Sequence, residues 1–90
     1  MSENGSLVPA PTATAVLEYL VKQLVDEPDA VRVTHGRGRR GVRLDVHVGP
    51  GDMGRVIGRK GRTAQSIRTV VRAAATKDST EVDIEFVDDE

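Results

Sequence analysis

The sequence predicts an α+β domain: a three-stranded mixed sheet with helices packed on one face, in the order α-β-β-α-α-β. Three observations carry this. The segments 13–26 and 62–76 place apolar residues at helical spacing. The segments 30–35 and 42–48 alternate apolar and polar residues and are joined by a connection short enough for an antiparallel hairpin. The strand at 42–48 reaches a last alternating segment, 80–87, only through two helices. That crossover sets the two strands parallel and right-handed.

Residues 1–11, MSENGSLVPAP, read as a flexible leader, because Gly5, Pro9 and Pro11 break regular structure and Leu7 and Val8 have no periodic partners. In the helix at 13–26, Thr14, Glu18, Lys22 and Asp26 fall four apart as a polar stripe. Val16, Leu17, Leu20, Val21, Leu24 and Val25 form the apolar face, and Pro28 stops the helix. Glu18 precedes Lys22 by four, the favourable order for an ion pair of about 0.3–0.5 kcal/mol. In the strand at 42–48, Val42, Leu44, Val46 and Val48 alternate with Arg43, Asp45 and His47, as in a sheet covered on one side.

A short helix is expected at 50–57, with Pro50 in its first turn, Asp52 at its positive dipole end and Met53, Val56 and Ile57 on its apolar side. In the helix at 62–76, Ala64, Ile67, Val71 and Ala74 point inward, with Gln65, Arg68 and Arg72 on another face. In the last strand Val82, Ile84 and Phe86 point one way and Glu81, Asp83 and Glu85 the other, so the open sheet face is acidic, with Arg32 and Arg43 placed to offset it. Residues 88–90 read as an acidic tail, which leaves 12–87 as the folded domain. A domain of this size buries only about 60% of its unfolded surface, so each amphipathic element must contribute.

Thirteen basic residues oppose fourteen acidic ones, for a net charge of −1. The charge is segregated: residues 32–77 carry twelve basic side chains and two acidic ones, net +10. That pattern points to a local anion site. The absence of Cys excludes a disulfide framework, a thiolate zinc site and a Cys nucleophile. No apolar run exceeds three residues, so no span or secretory signal is predicted and the expected location is cytoplasmic. With only Tyr19 and Phe86 as aromatics, a binding sheet built on base stacking is disfavoured. No carboxylate pair, Ser-His set or metal cluster stands out, so neither catalysis nor a cofactor nor a small-molecule substrate is expected.

The turn Gly58-Arg59-Lys60-Gly61 between two helices is the informative motif. Glycine permits positive φ and close approach of another backbone. Helix-starting amides after it are suited to a phosphodiester. Arg55 and Arg62 flank the turn, while Val56, Ile57 and Ile67 are placed to floor it for bases. A plain helix-turn-helix corner is the bland alternative. The run Gly36-Arg37-Gly38-Arg39-Arg40-Gly41 matches G-x-G-x-x-G, but a strand follows it where a dinucleotide site needs a helix; it reads as a solvated hairpin loop or an auxiliary phosphate contact. His35 and His47 read as surface or cross-strand packing residues.

The run Val56-Ile57-Gly58-Arg59-Lys60-Gly61, continuing Arg62-Thr63-Ala64-Gln65-Ser66-Ile67-Arg68, resembles the V-I-G-x-x-G-x-x-x-x-x-I core of KH domains, and the element order is that of the type II form. In size and in the phrase IGRKGRTAQSIRTVVRAAA the chain resembles the small single-domain bacterial KH proteins of the KhpA family. The resemblance implies single-stranded RNA binding with an RNA-chaperone or post-transcriptional role, and a loop at Gly58, Arg59, Lys60 and Gly61 that clamps about four nucleotides. It also implies self-association or pairing with a second KH protein of the KhpB/Jag type, and in some bacteria links to cell shape, division and cell-wall organisation. An interaction module acting mainly through dimerisation, with Met53 and Ile57 as its apolar surface, is the competing expectation; a duplex-DNA reader is a further one.

Overall fold

The alternation over 42–48 and the helical spacing over 62–76 set the two layers. The computed structural model describes residues 8–87. Its elements are α1 (Pro11–Leu24), β1 (Arg32–Arg37), β2 (Val42–His47), α2 (Met53–Ile57), α3 (Arg62–Ala74) and β3 (Val82–Phe86). The sheet order is β1-β2-β3. β1 pairs antiparallel with β2, with Val33 opposite Val46, and β2 pairs parallel with β3, with Leu44 opposite Ile84. The α+β class, the hairpin and the crossover are as the sequence predicts.

Leu44 and Val46 turn inward from the central strand and are fully buried. Leu17 and Val21 of α1, Val56 of α2 and Val71 of α3 close over them with no exposure. Burying each such side chain stabilises the fold by about 1.5–3 kcal/mol relative to leaving it exposed. The opposite sheet face carries Arg43, whose guanidinium donates to Asp45 at 2.9 and 3.1 Å. That hydrogen bond, with the Asp45 charge, raises the Arg43 pKa. Arg43 is thus held by a neighbour on its own strand rather than offsetting β3, and Arg32 joins no ion pair among the described residues.

Several element ends differ from the expectation. α1 starts at Pro11, at the first helical position that tolerates proline, and ends at Leu24; Val25 is already extended. Ala10, assigned to the leader, is buried at the start of this helix. Residues 1–7 and the tail at 88–90 lie outside the described residues. Thr14 is not on a solvated stripe: it is 7% exposed, and its hydroxyl lies 3.0 Å from His35 Nε2. Glu18 and Lys22 form no ion pair among the described residues.

Two acidic residues tie the helices together. Asp78 accepts hydrogen bonds from Thr12 N at 3.0 Å and Ala13 N at 2.9 Å, supplying the cap that α1 lacks locally. Asp78 sits in the single 3₁₀ turn Ala75–Asp78 that follows α3. The tighter turn makes Ala75, not Ala74, the buried residue. Asp52, expected to serve its own helix dipole, is 3% exposed and accepts from Asp26 N at 3.2 Å and Glu27 N at 3.1 Å. α2 is correspondingly shorter than 50–57, and Pro50 lies outside it. Among the described residues no helix is long and apolar enough to cross a membrane.

Candidate nucleic-acid interface

α2 runs for only five residues because Gly58 turns the chain at its end. Gly58 N closes the helix on Gly54 O at 2.9 Å, with Gly58 at φ 76° and ψ 177°. That backbone region is essentially restricted to glycine. Space demands glycine as well: a Cβ there would overlap the Thr63 side chain. Arg59–Gly61 then form one 3₁₀ turn, with Lys60 at φ 58° and ψ 25° and Gly61 at φ 74° and ψ 13°. Lys60 is a non-glycine residue in left-handed conformation, a strain of about 1–2 kcal/mol.

The bend stands open to solvent. Arg59, Lys60 and Arg62 are exposed, and none of them joins an ion pair among the described residues. A Cβ on Gly61 would meet nothing within 4 Å, so this side of the turn is free for a ligand backbone. The α3 start has no side-chain cap. The amides of Gly61 and Arg62 are turned inward, to Gly58 O at 3.2 Å and to Arg59 O. These two amides are therefore committed, which corrects the expectation that the amide of Arg62 is free, and puts the weight of anion attraction on the side-chain cations.

Other expected site residues fall elsewhere. Arg55 is held at 3.0 Å from Asp26 and 3.4 Å from Asp52, anchoring α2 to the segment after α1. Val56 is fully buried and Ile67 is 4% exposed, so these two support the bend from the core instead of lining a surface for bases. Ile57 and Met53 are half-buried. Arg68 points from α3 toward the edge strand, with its Nε 3.4 Å from Ile84 O and its guanidinium 5.1 Å from the Phe86 ring centroid.

Comparison with known proteins fits this geometry. The KhpA/KhpB KH-domain family matches residues 14–86, which span both helices, the bend and all three strands. The chain belongs to the KhpA/KhpB KH-domain family. Proteins named RNA-binding protein KhpA are similar to it. The one from Clostridium acetobutylicum is 46% identical over 72 residues, covering 80% of this chain and 96% of that protein. The one from Leifsonia xyli subsp. xyli is 51% identical over 73 residues, covering 81% and 93%. The one from Streptomyces coelicolor is 58% identical over 57 residues, covering 63% and 72%. Among solved structures, Aquifex aeolicus Era bound to GDP and aluminium fluoride aligns with a TM-score of 0.61 at 17% identity, over 82% of this chain and 29% of that one. At that identity the likeness shows the fold alone.

In this KH domain the sequence reading missed the supports of the bend. Thr63 fills the space that a Gly58 side chain would need, and Asp52 fixes the entry to α2. An Asp two residues after a proline and just before a five-residue helix signals a cap, and only the fold shows that its partners are 25 and 26 residues earlier.

Proposed function

We propose that this KH domain binds single-stranded RNA at the Gly58–Gly61 bend with low sequence specificity. The observation that carries this is the open turn with three unpaired cations, Arg59, Lys60 and Arg62, beside the unobstructed face of Gly61. Phosphate contacts are sequence-independent, so affinity comes mainly from charge and is salt-dependent. Such a loop takes about four nucleotides. The names of the similar proteins support the RNA reading. In this reading the protein acts in the cytoplasm as an RNA chaperone or post-transcriptional regulator and performs no chemistry. Fluorescence polarisation with a labelled single-stranded RNA tests it. Arg59→Asp with Lys60→Asp removes binding while far-UV circular dichroism stays unchanged; retained affinity rules the bend out. A labelled duplex of the same sequence binds more weakly, and preference for the duplex contradicts the single-strand reading.

One short groove gives weak affinity, so the working form carries two linked sites, either two copies or one copy with a second KH protein of the KhpB/Jag type. Tyr19 at 65% exposure and Val70 at 48% offer uncovered apolar side chains on the helices for such contact. Sedimentation of the free protein reads this directly: a dimer at micromolar concentration supports it, and a monomer that stays monomeric with RNA removes it.

A further inference from the structure

The hairpin between β1 and β2 is docked, not free. Gly38 N closes the turn on Gly41 O at 2.9 Å, and Arg39 N donates to Asp83 Oδ2 at 3.0 Å, pinning the tip against the edge strand β3. A Cβ on Gly38 would lie 2.8 Å from Asp83 Oδ2, and one on Gly41 would lie 2.8 Å from Thr80 Oγ1. The two glycines thus let the tip sit directly on β3, and three arginines are carried there in fixed positions.

α3 brings Arg68 and Arg72, one turn apart, to the same edge. Hairpin and helix enclose two adjoining clefts of about 530 and 440 Å³ that share Arg39, Arg72 and Asp83. Arg40 lies 3.6 Å from Glu81, and Arg43 is taken by Asp45. The guanidiniums of Arg37, Arg39 and Arg72 join no ion pair among the described residues. One oxygen of Asp83 is occupied as the staple for the hairpin, and Glu85 lies on the sheet side of the rim. The unpaired cations therefore outnumber the acids on the helix side, whereas the sheet side is acidic. A planar guanidinium fork matches a phosphate better than a lone ammonium does.

We infer that this edge is a second phosphate-binding site that holds the backbone of the same RNA strand after it leaves the Gly58–Gly61 bend. The inference rests on the RNA reading above. From Arg62 to Arg72 the helix advances about 15 Å at 1.5 Å per residue. That is about four nucleotides at roughly 3.4 Å per stacked step. With about four nucleotides at the bend, a strand of about eight reaches both sites, and a five-nucleotide strand reaches one.

The test compares five- and twelve-nucleotide oligouridylates in polarisation titrations of the full chain. Arg39→Ala with Arg72→Ala keeps the Arg39 amide staple and substitutes an exposed helix position. It weakens the twelve-mer about tenfold at ~0.1 M salt and flattens its salt slope by about 1.4, for two phosphates lost. The five-mer changes less than twofold, which also certifies the fold. An equal effect on both lengths, or no effect on the twelve-mer, overturns the second site. Arg59→Asp with Lys60→Asp is run in parallel and weakens both lengths. If it leaves the five-mer unchanged, the bend reading fails on its own arm, while the length dependence still decides the second site.

Discussion

Gly58 lies against Thr63 so closely that a Cβ on the glycine would stand 2.6 Å from Thr63 Cβ and 3.0 Å from Thr63 N. Gly61, three residues later, has a similar positive φ but open space around it. Gly58→Ala therefore combines backbone strain of about 1–3 kcal/mol with a clash, while Gly61→Ala costs about 1–2 kcal/mol through conformation alone. Urea unfolding followed by circular dichroism should show the larger loss for Gly58→Ala. Adding Thr63→Ala recovers part of that loss and recovers none for Gly61→Ala. Equal losses, without recovery, contradict the contact.

Lys60 holds a left-handed conformation in the middle of the turn. Lys60→Gly removes the steric cost at the expense of chain entropy, and the balance favours the variant by roughly 0.5–1 kcal/mol. The same change deletes a cation at the bend. A variant that melts higher and binds RNA less tightly is expected; one that melts lower shows that the lysine conformation is unstrained.

Asp52 is buried and joins two backbone amides to the start of α2. Asp52→Ala leaves those amides without their partner and lowers stability by about 1–3 kcal/mol. Arg55→Ala breaks only half-exposed ion pairs and costs less than about 1 kcal/mol. Hydrogen exchange should rise over 53–61 in Asp52→Ala. A drop in protection confined to other segments contradicts its role in placing the bend.

Asp78 gives the fold a pH dependence. Burial pushes its carboxyl pKa up, but hydrogen bonds from Ala13 N, Thr12 N and the Thr12 hydroxyl outweigh burial, and the net value lies below the ordinary 3.8. A folded pKa below the unfolded one means the stabilisation is complete above about pH 3.8 and is lost as the pH falls through the lower folded value. Replacing the cap by Asp78→Asn costs about 1 kcal/mol at pH 6. Thermal melts should converge for the two proteins at strongly acid pH; a constant gap across the whole range contradicts the linkage.

Much of this architecture is legible in the residues themselves. Val42, Leu44 and Val46 announce a one-sided strand, Ala64, Ile67 and Val71 a helix face, and Gly58 and Gly61 a bend, because each is a local periodicity or a local conformational need. What is not legible depends on distant partners. Thr14 sits at a polar position in the helical pattern and is buried because His35 arrives opposite it. Asp78 and Asp52 look like ordinary surface acids until the fold brings them to backbone amides 65 and 26 residues away. Val56 and Ile67 were legible as apolar, but the face they bury is fixed only by packing against the sheet. The arginine loop reads as solvated until Asp83, 44 residues on, holds Arg39 N.

The charge account of the bend is tested most directly by the salt dependence of binding to a five-nucleotide RNA, followed by NMR shift titration. With about three phosphates neutralised, log K falls against log salt with a slope near −2. Arg59→Ala with Lys60→Ala should bring that slope to about −0.7. An unchanged slope in the double variant would show that the strand lies elsewhere on the domain.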